Sequence, residues 1–261
     1  MKVGMIGIGL MGHGIAGNIV KQGHELAMLE HPGNQPLDAL KAAGAVSLRS
    51  AAELAARSDV VILVLTGSPQ VEAVLTGPGG VLEGLRPGSV VIDCSTAIPS
   101  STLRMAQAVQ AAGSRFLDAP MTRTPKEAAA GRLNLLVGGE AALLQECRPL
   151  LECFAENIVH AGPVAAGHGM KLLHNYVSLG MVSLLCEAAA CAGRRLQHRA
   201  GGCQSGGQHH HHRQRPHHRR QPGAGPDPVR PAADRSRRLR RRAAFGIQRR
   251  ALAADRQFQC A

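Results

Sequence analysis

The sequence predicts an α/β protein with a Rossmann-type, doubly wound parallel sheet, followed by a long helix. Predicted strands and helices alternate between residues 1 and 162, as in parallel sheets whose crossover connections are helices. Residues 60–65 form the continuous apolar run VVILVL, which is typical of a strand buried on both faces. A G-x-G-x-x-G turn from Gly7 to Gly12 separates the first predicted strand from the first helix, and this turn is a recurrent ligand site in such sheets.

The first strand, residues 2–6, and the turn after it predict a dinucleotide site. Gly7 would permit the sharp turn, Gly9 would let a pyrophosphate approach the backbone, and Gly12 would let the helix pack closely. The free N–H groups and positive dipole end of that helix would face the phosphates. Glycine turns also serve packing alone, but a second strand and an acidic residue follow here in register. The predicted cofactor contacts are Gly7, Gly9, Leu10, Met11, Gly12 and Glu30.

Glu30 decides the predicted cofactor. It stands at the end of the second strand, residues 25–29, and eighteen residues past Gly12, where a carboxylate accepts hydrogen bonds from the adenosine ribose diol. The residues that follow, His31 and Pro32, bring no arginine to neutralise a 2′-phosphate. We therefore expect NAD rather than NADP.

The other predicted elements continue the alternation. Helices are expected at 13–22, 50–57, 70–75, 100–112 and 140–154, and strands at 44–46, 60–65, 89–93, 115–118, 133–137 and 157–159. Residues 162–169 are rich in glycine and alanine and predict a hinge, and residues 170–192 predict one long apolar helix.

The ligand of such a sheet lies beyond the carboxyl ends of its strands. Leu65 ends one predicted strand and Thr66 follows it, and Ser95 and Thr96 follow the next strand. We therefore predict that all four contact the cofactor. Capping of the following helix is the alternative for Ser95 and Thr96, and the two roles are compatible.

Composition divides the chain in two. The net charge is +12, but residues 1–191 carry 13 Lys and Arg against 15 Asp and Glu, whereas residues 192–261 carry 17 against 3. No apolar run reaches the roughly twenty residues of a membrane span, and no signal-peptide pattern opens the chain, so a cytoplasmic protein is expected. The seven cysteines follow no metal or disulfide spacing, which predicts reduced thiols and no metal site.

Three motifs together resemble the β-hydroxyacid dehydrogenase family. They are the glycine turn from Gly7 to Gly12; Asp118-Ala-Pro120 leading through Gly131-x-Leu133 to Val137-Gly-Gly139; and Gly167-x-Gly169-x-Lys171-x-x-x-Asn175. The resemblance covers residues 1 to about 191. It implies hydride transfer between a nicotinamide and a small 3-hydroxy acid or its semialdehyde, and a homo-oligomer formed through an all-α C-terminal domain that begins with the long helix.

The resemblance also implies the site residues. Lys171 would be the general acid/base, since desolvation and the positive end of the helix lower the pKa of a lysine; the alternative is a solvated lysine. Asn175, on the same helix face, would hold the substrate or the lysine, or else make a packing hydrogen bond. Ser95 and Thr96 resemble the family's contacts to the nicotinamide ribose.

One loop departs from the common family pattern. After Asp-Ala-Pro, many members have a small apolar residue followed by Ser-Gly-Gly, whereas this chain has Met121-Thr-Arg-Thr124. The loop is similar to that of sulfolactaldehyde reductase. Thr122, Arg123 and Thr124 would hold the acid group of a small anionic substrate, because an arginine fork suits carboxylate, phosphate or sulfonate. A solvated arginine and an ordinary turn hydroxyl are the alternatives.

The tail, residues 193–261, is rich in Arg, His and Pro and shows no apolar periodicity. It fits a disordered arm that binds nucleic acid, a loose metal-binding histidine tract, or an out-of-frame reading of a GC-rich gene. We favour the third reading, because the change falls inside a predicted helix, and we do not expect nucleic acid as a partner. On that reading the tail is disordered, the helical domain is missing and the activity of this chain is in question.

Three domains are therefore expected: an NAD-binding domain at 1–162, a hinge and interdomain helix at 163–192, and the tail at 193–261. The leading function is an NAD-dependent dehydrogenase or reductase. The alternatives are a dinucleotide-binding module with a basic arm and an imine reductase on the same fold.

Overall fold

The computed structural model describes residues 1–202, with side chains up to Ala192. Predictions about residues 203–261, including disorder, nucleic-acid binding and metal binding by the histidines, fall outside the described residues. The last described helix does not end at Ala192, the end of the predicted interdomain helix, but continues to Gly202.

Nine strands of the described residues form one sheet. They are β1 Lys2–Ile6, β2 Glu25–Leu29, β3 Val46–Leu48, β4 Val60–Leu63, β5 Val90–Asp93, β6 Arg115–Asp118, β7 Met121–Thr122, β8 Leu133–Gly138 and β9 Ala155–Gly162. The first six are all parallel, in the order β3-β2-β1-β4-β5-β6. β8 then joins β6 antiparallel, and β7 and β9 pair with β8, antiparallel and parallel respectively. The predicted doubly wound sheet is confirmed, and β8 adds antiparallel pairing with β6 and β7 at one edge.

The helices lie between the strands. They are α1 Leu10–Lys21, α2 Asp38–Ala42, α3 Ala51–Ala56, α4 Ser68–Thr76, α5 Val81–Gly84, α6 Pro99–Ala111, α7 Pro125–Ala129, α8 Ala141–Leu151 and α9 Ala166–Gly202. The short helices α2, α5 and α7 were not predicted, because a single helical turn carries no apolar periodicity.

Both faces of the sheet are buried, and β4 shows why its sequence is continuously apolar. Val60 and Ile62 point into a cluster on one face, whereas Val61 and Leu63 point into a second cluster on the other. Alternate side chains of a strand point to opposite faces, so a strand between two helix layers needs apolar residues at every position.

Helix α9 begins at Ala166 rather than at the predicted Met170, so Gly167 and Gly169 lie in its first turn instead of a hinge. Its later part is exposed along its length, including Tyr176 and Leu184. Helix α9 from Ala166 to Ala192 contains an 18-residue window with a mean hydropathy of 1.3 and is long enough to cross a bilayer. By itself this is weak evidence for a membrane span, because core helices of soluble proteins satisfy the same criterion.

Candidate functional site

The glycine turn has the geometry that a pyrophosphate requires. Gly7 has a φ of +99°, and a Cβ there would lie 2.1 Å from the Val64 carbonyl oxygen; a Cβ on Gly12 would lie 1.9 Å from the Gly7 oxygen. Both glycines are needed for the turn itself. A Cβ on Gly9 would meet nothing within 4 Å among the described residues, so Gly9 leaves open space next to the start of α1.

The amino end of α1 is free to bind an anion. Gly9 is the N-cap, no side chain of the described residues caps the helix, and its first turn holds no acidic residue. The first N–H groups of a helix have no intrahelical partners, so the N–H groups of Leu10, Met11 and Gly12 face the space beside Gly9. These residues fit a dinucleotide pyrophosphate.

Glu30 lies just past β2 but is not isolated from cations. Its carboxylate lies 3.2 Å from Lys41 Nζ and 3.5 Å from Arg49 Nε. The hydrogen bond from Lys41 is the main cause that lowers the pKa of Glu30. No arginine is near Glu30 in sequence, but the expectation that none lies beside it is wrong in the folded protein. Strand β3 pairs with β2, and this pairing brings Arg49, which follows β3, next to Glu30.

The loops after β4 and β5 are joined by Ser95. Its hydroxyl accepts a hydrogen bond from the Leu65 N–H at 2.9 Å, and its own N–H donates to Asp93 Oδ1 at 2.9 Å. Helix α6 has Ile98 as its N-cap and no side-chain cap, so neither Ser95 nor Thr96 caps it. Thr66 is exposed and Thr96 is half-buried, beyond the carboxyl ends of β4 and β5.

The loop that follows β6 uses its polar side chains locally. The Thr122 hydroxyl accepts a hydrogen bond from Asn134 Nδ2 at 3.1 Å. Arg123 has a φ of +82°, and its guanidinium binds the Glu156 carboxylate and the Arg132 carbonyl. Thr124 caps α7 in a capping box with Glu127. Arg123 must therefore leave or share Glu156 to bind a substrate anion.

Helix α9 turns one face toward the body of the domain. His168 is buried, and Lys171, Asn175 and Ser178 are half-buried, whereas the residues between Lys171 and Asn175 are exposed. Spacings of three and four residues define a single helix face. Partial burial lowers the pKa of Lys171, as the proton-transfer role requires.

Two buried side chains that the sequence analysis did not assign to the site, Asp118 and His168, hold α9 against the sheet. Asp118, at the end of β6, accepts hydrogen bonds from the Ala165 and His168 N–H groups at 2.7 and 2.8 Å. The His168 ring contacts Thr102 Oγ1 at 2.8 Å and the Ser95 carbonyl oxygen at 3.1 Å. Asp93, at the end of β5, is also buried, and burial raises its pKa. An aspartate ending each of two apolar strands was the sequence signal.

The comparisons with known proteins agree with this geometry. Residues 2–162 match the family described as the NAD binding domain of 6-phosphogluconate dehydrogenase. The chain is similar to the NAD-dependent L-serine dehydrogenase of Pseudomonas aeruginosa, with 37% identity over 189 residues, which are 72% of this chain and 63% of that protein. It is also similar to the 3-sulfolactaldehyde reductase of Escherichia coli, with 34% identity over 187 residues, 72% of this chain and 62% of that protein.

A solved structure shows the same arrangement. The 3-hydroxyisobutyrate dehydrogenase of Mycobacterium tuberculosis, determined with L-serine, matches with a TM-score of 0.68 and 32% identity, covering 74% of this chain and 65% of that one. This chain thus spans less than two thirds of the length of each of these relatives. The match over residues 2–162 and the three motifs agree: the chain carries an NAD-binding domain and belongs to the β-hydroxyacid dehydrogenase family.

Proposed function

We propose that this protein transfers a hydride between NAD and a small 3-hydroxy acid or its semialdehyde, with Lys171 as general acid/base. The observation that carries the proposal is the position of Lys171 on the half-buried face of α9, one turn after His168, whose ring contacts the Ser95 carbonyl. That contact brings the first turn of α9 to the carboxyl end of β5, where the sheet opens toward the cofactor.

The chain's own residues would divide the work between binding and proton transfer. The turn from Gly7 to Gly12 would hold the pyrophosphate, and Glu30 the adenosine ribose. Thr66, Ser95 and Thr96 would line the nicotinamide side. When bound, NAD would supply the acceptor for the hydride of the alcohol carbon, and NADH would supply the hydride for the reverse reaction. Neutral Lys171 would take the proton of the hydroxyl in oxidation, and protonated Lys171 would give it back in reduction.

The substrate is proposed to be a small anion. The relatives' names include L-serine dehydrogenase and 3-sulfolactaldehyde reductase, and L-serine and 3-sulfolactaldehyde each carry an acid group in addition to a hydroxyl or aldehyde carbon that can react. The hydroxyl of Thr122 still has its proton to donate, because its oxygen accepts from Asn134. Arg123 would add its charge after exchanging Glu156, and Asn175 would orient the substrate from the face of Lys171.

The extent of the family match supports the same assignment. We propose that residues 1–162 form the NAD-binding domain and that 163–192 lead into the helical part of the relatives, which would complete the substrate pocket and form the oligomer. The family match ends at residue 162, where β9 ends.

The test is a pair of lysine variants assayed by NADH absorbance. L-serine and 3-hydroxyisobutyrate are offered with NAD, and 3-sulfolactaldehyde with NADH. Lys171→Met is expected to lower kcat by about a hundredfold or more, the usual contribution of a positioned acid/base, whereas exposed Lys21→Met leaves it unchanged. The wild-type oxidation rate is expected to rise with pH below the ordinary range of lysine, because burial lowers the pKa of Lys171. Turnover by Lys171→Met within twofold of wild type would exclude this role.

A further inference from the structure

We infer that His168 is a positioning residue that couples the helix of Lys171 to the nicotinamide side of the cofactor site. The inference rests on the proposed function, because it assigns Lys171 and the Ser95–Thr96 segment to that site. Its basis is a chain of hydrogen bonds that runs from α9 through β6 and β5 to the end of β4.

The His168 side chain is completely buried and bridges two elements. Its Nε2 lies 3.1 Å from the Ser95 carbonyl oxygen, and its Nδ1 lies 2.8 Å from the Thr102 hydroxyl on α6. A carbonyl oxygen only accepts, so Nε2 carries the donated proton in either charge state of the ring. The ring thus ties the first turn of α9 to the loop after β5.

Asp118, at the end of β6, fixes the same turn of α9 through its backbone. One carboxylate oxygen accepts from the Ala165 N–H and the other from the His168 N–H. Ala165 has a φ of +75°, a left-handed conformation that costs a residue with a side chain about 1 kcal/mol or more. The bond to Asp118 holds this residue in place, so the start and direction of α9 are fixed relative to β6.

The contact of Asp118 with β8 and the first turn of α9, which we call the joint, is closely packed. A Cβ on Gly138 would lie 2.5 Å from Asp118 Oδ1, and a Cβ on Gly167 would lie 2.3 Å from the Leu136 carbonyl oxygen. β8 and α9 therefore approach Asp118 through their backbones. The motif glycines of these two segments thus serve the attachment of α9.

The joint reaches one half of the cofactor site. The Ser95 carbonyl oxygen accepts the bond from His168, and the Ser95 hydroxyl accepts from the Leu65 N–H at 2.9 Å. Hydrogen bonds therefore link α9 to the loops after β5 and β4. The glycine turn and Glu30 have no part in this chain of bonds. Loss of His168 should therefore weaken contacts to the nicotinamide riboside and spare those to the adenosine diphosphate.

The experiment compares the binding of NAD and of ADP-ribose, which lacks the nicotinamide, to the full chain by titration calorimetry. His168→Leu is expected to weaken NAD binding by about tenfold, the effect of one or two lost hydrogen bonds, and ADP-ribose binding by less than twofold. His168→Gln keeps an N–H donor near the position of Nε2 and is expected to restore NAD binding to within about threefold of wild type. Thr102→Val removes the hydroxyl that contacts Nδ1 and the Ile98 carbonyl oxygen but leaves the contact of Nε2 with Ser95. It should therefore show a smaller loss with the same preference for NAD.

Equal losses for NAD and ADP-ribose, or no recovery in His168→Gln, would show that His168 only supports the fold and would overturn the inference. Amide hydrogen exchange without ligand gives a second readout: exchange at residues 63–66 and 94–98 should quicken in His168→Leu, while exchange at 7–12 stays unchanged. Unaltered exchange at 94–98 would also overturn it. Absence of turnover in wild type with every hydroxy acid would instead count against the proposed function, and both readouts would still decide the role of His168.

Discussion

At the scale of single residues, charges at the cofactor edge are set by neighbours that are remote in sequence. Glu30 binds Lys41 and Arg49, two cations that would suit a 2′-phosphate if the carboxylate were neutral. We predict that Glu30→Gln raises the affinity for NADP relative to NAD by about tenfold. Calorimetric titration with both cofactors measures the ratio.

The matched control for this prediction is the double variant Glu30→Gln with Arg49→Ala. Removing the guanidinium should return the ratio of NADP to NAD affinity toward that of wild type. If the single and double variants bind NADP equally, Arg49 takes no part in cofactor choice, and Lys41 alone accounts for any gain.

Asp93 predicts a pH dependence of stability. Burial raises the pKa of this carboxyl above its ordinary 3.8, so above that value the native state holds more protons than the unfolded chain, and its contribution to stability falls as pH rises. Asp93→Asn removes this dependence. From about pH 4 to about pH 7, the unfolding free energy of the variant should therefore rise relative to wild type, as measured by urea denaturation.

Asp59 supplies a control of opposite sign. A hydrogen bond from the Lys2 backbone N–H is the main cause that lowers the pKa of Asp59, so the stabilisation is present above its ordinary value and is lost as pH falls through the lowered one. Relative to wild type, Asp59→Asn should lose stability as pH rises. Parallel trends for the two variants would show that burial does not dominate at Asp93.

At the scale of elements, the sequence predicted those whose signal is local. The alternation from β1 to β6 and the long helix α9 follow from apolar runs and their periods. The short strand β7 has two residues, and its antiparallel pairing with β8 depends on contacts between segments that no local pattern encodes. The site residues could be predicted to the same extent. The spacing of Glu30 from the glycine turn is a local pattern and identified it, whereas its partner Arg49 and the bonds of Asp118 to α9 became visible only in the tertiary structure.

The attachment of α9 to the sheet yields a prediction on packing. Gly138→Ala would place its Cβ 2.5 Å from Asp118 Oδ1 and 2.8 Å from the Gly167 nitrogen, and neither the strand nor the helix backbone can retreat easily. We expect the free energy of unfolding to fall by about 1–3 kcal/mol, as at other overpacked sites. Chemical denaturation measures this change.

Gly17→Ala is the control for that prediction. Gly17 lies inside α1, and its Cβ would meet nothing within 4 Å among the described residues. Alanine there should stabilise the protein by about 0.5–1 kcal/mol through helix propensity. If the two substitutions change the unfolding free energy equally, β8 and α9 can move apart to admit a Cβ at Gly138 without a loss of stability.

At the scale of the whole molecule, the sheet domain and the long helix differ in how much apolar surface they expose to water. The sheet is covered on both faces, whereas α9 carries large apolar side chains that are more than half exposed, among them Leu179, Leu184 and Leu185. An exposed apolar stretch of this extent marks a surface that another element or molecule normally covers. The chain spans less than two thirds of the length of its relatives.

The exposed side chains of α9 can be tested by dye binding. We predict that Leu179→Gln, Leu184→Gln and Leu185→Gln together sharply lower the fluorescence of 8-anilinonaphthalene-1-sulfonate bound to the protein, because these side chains supply the apolar surface. The melting temperature should change little, because glutamine has a helix propensity close to that of leucine and the three residues lie outside the buried core. Leu103→Gln, at an exposed residue of α6, should leave the fluorescence nearly unchanged. Unchanged fluorescence in the triple variant would show that this part of α9 is covered in solution, and a large fall in melting temperature would show that the cover belongs to the fold.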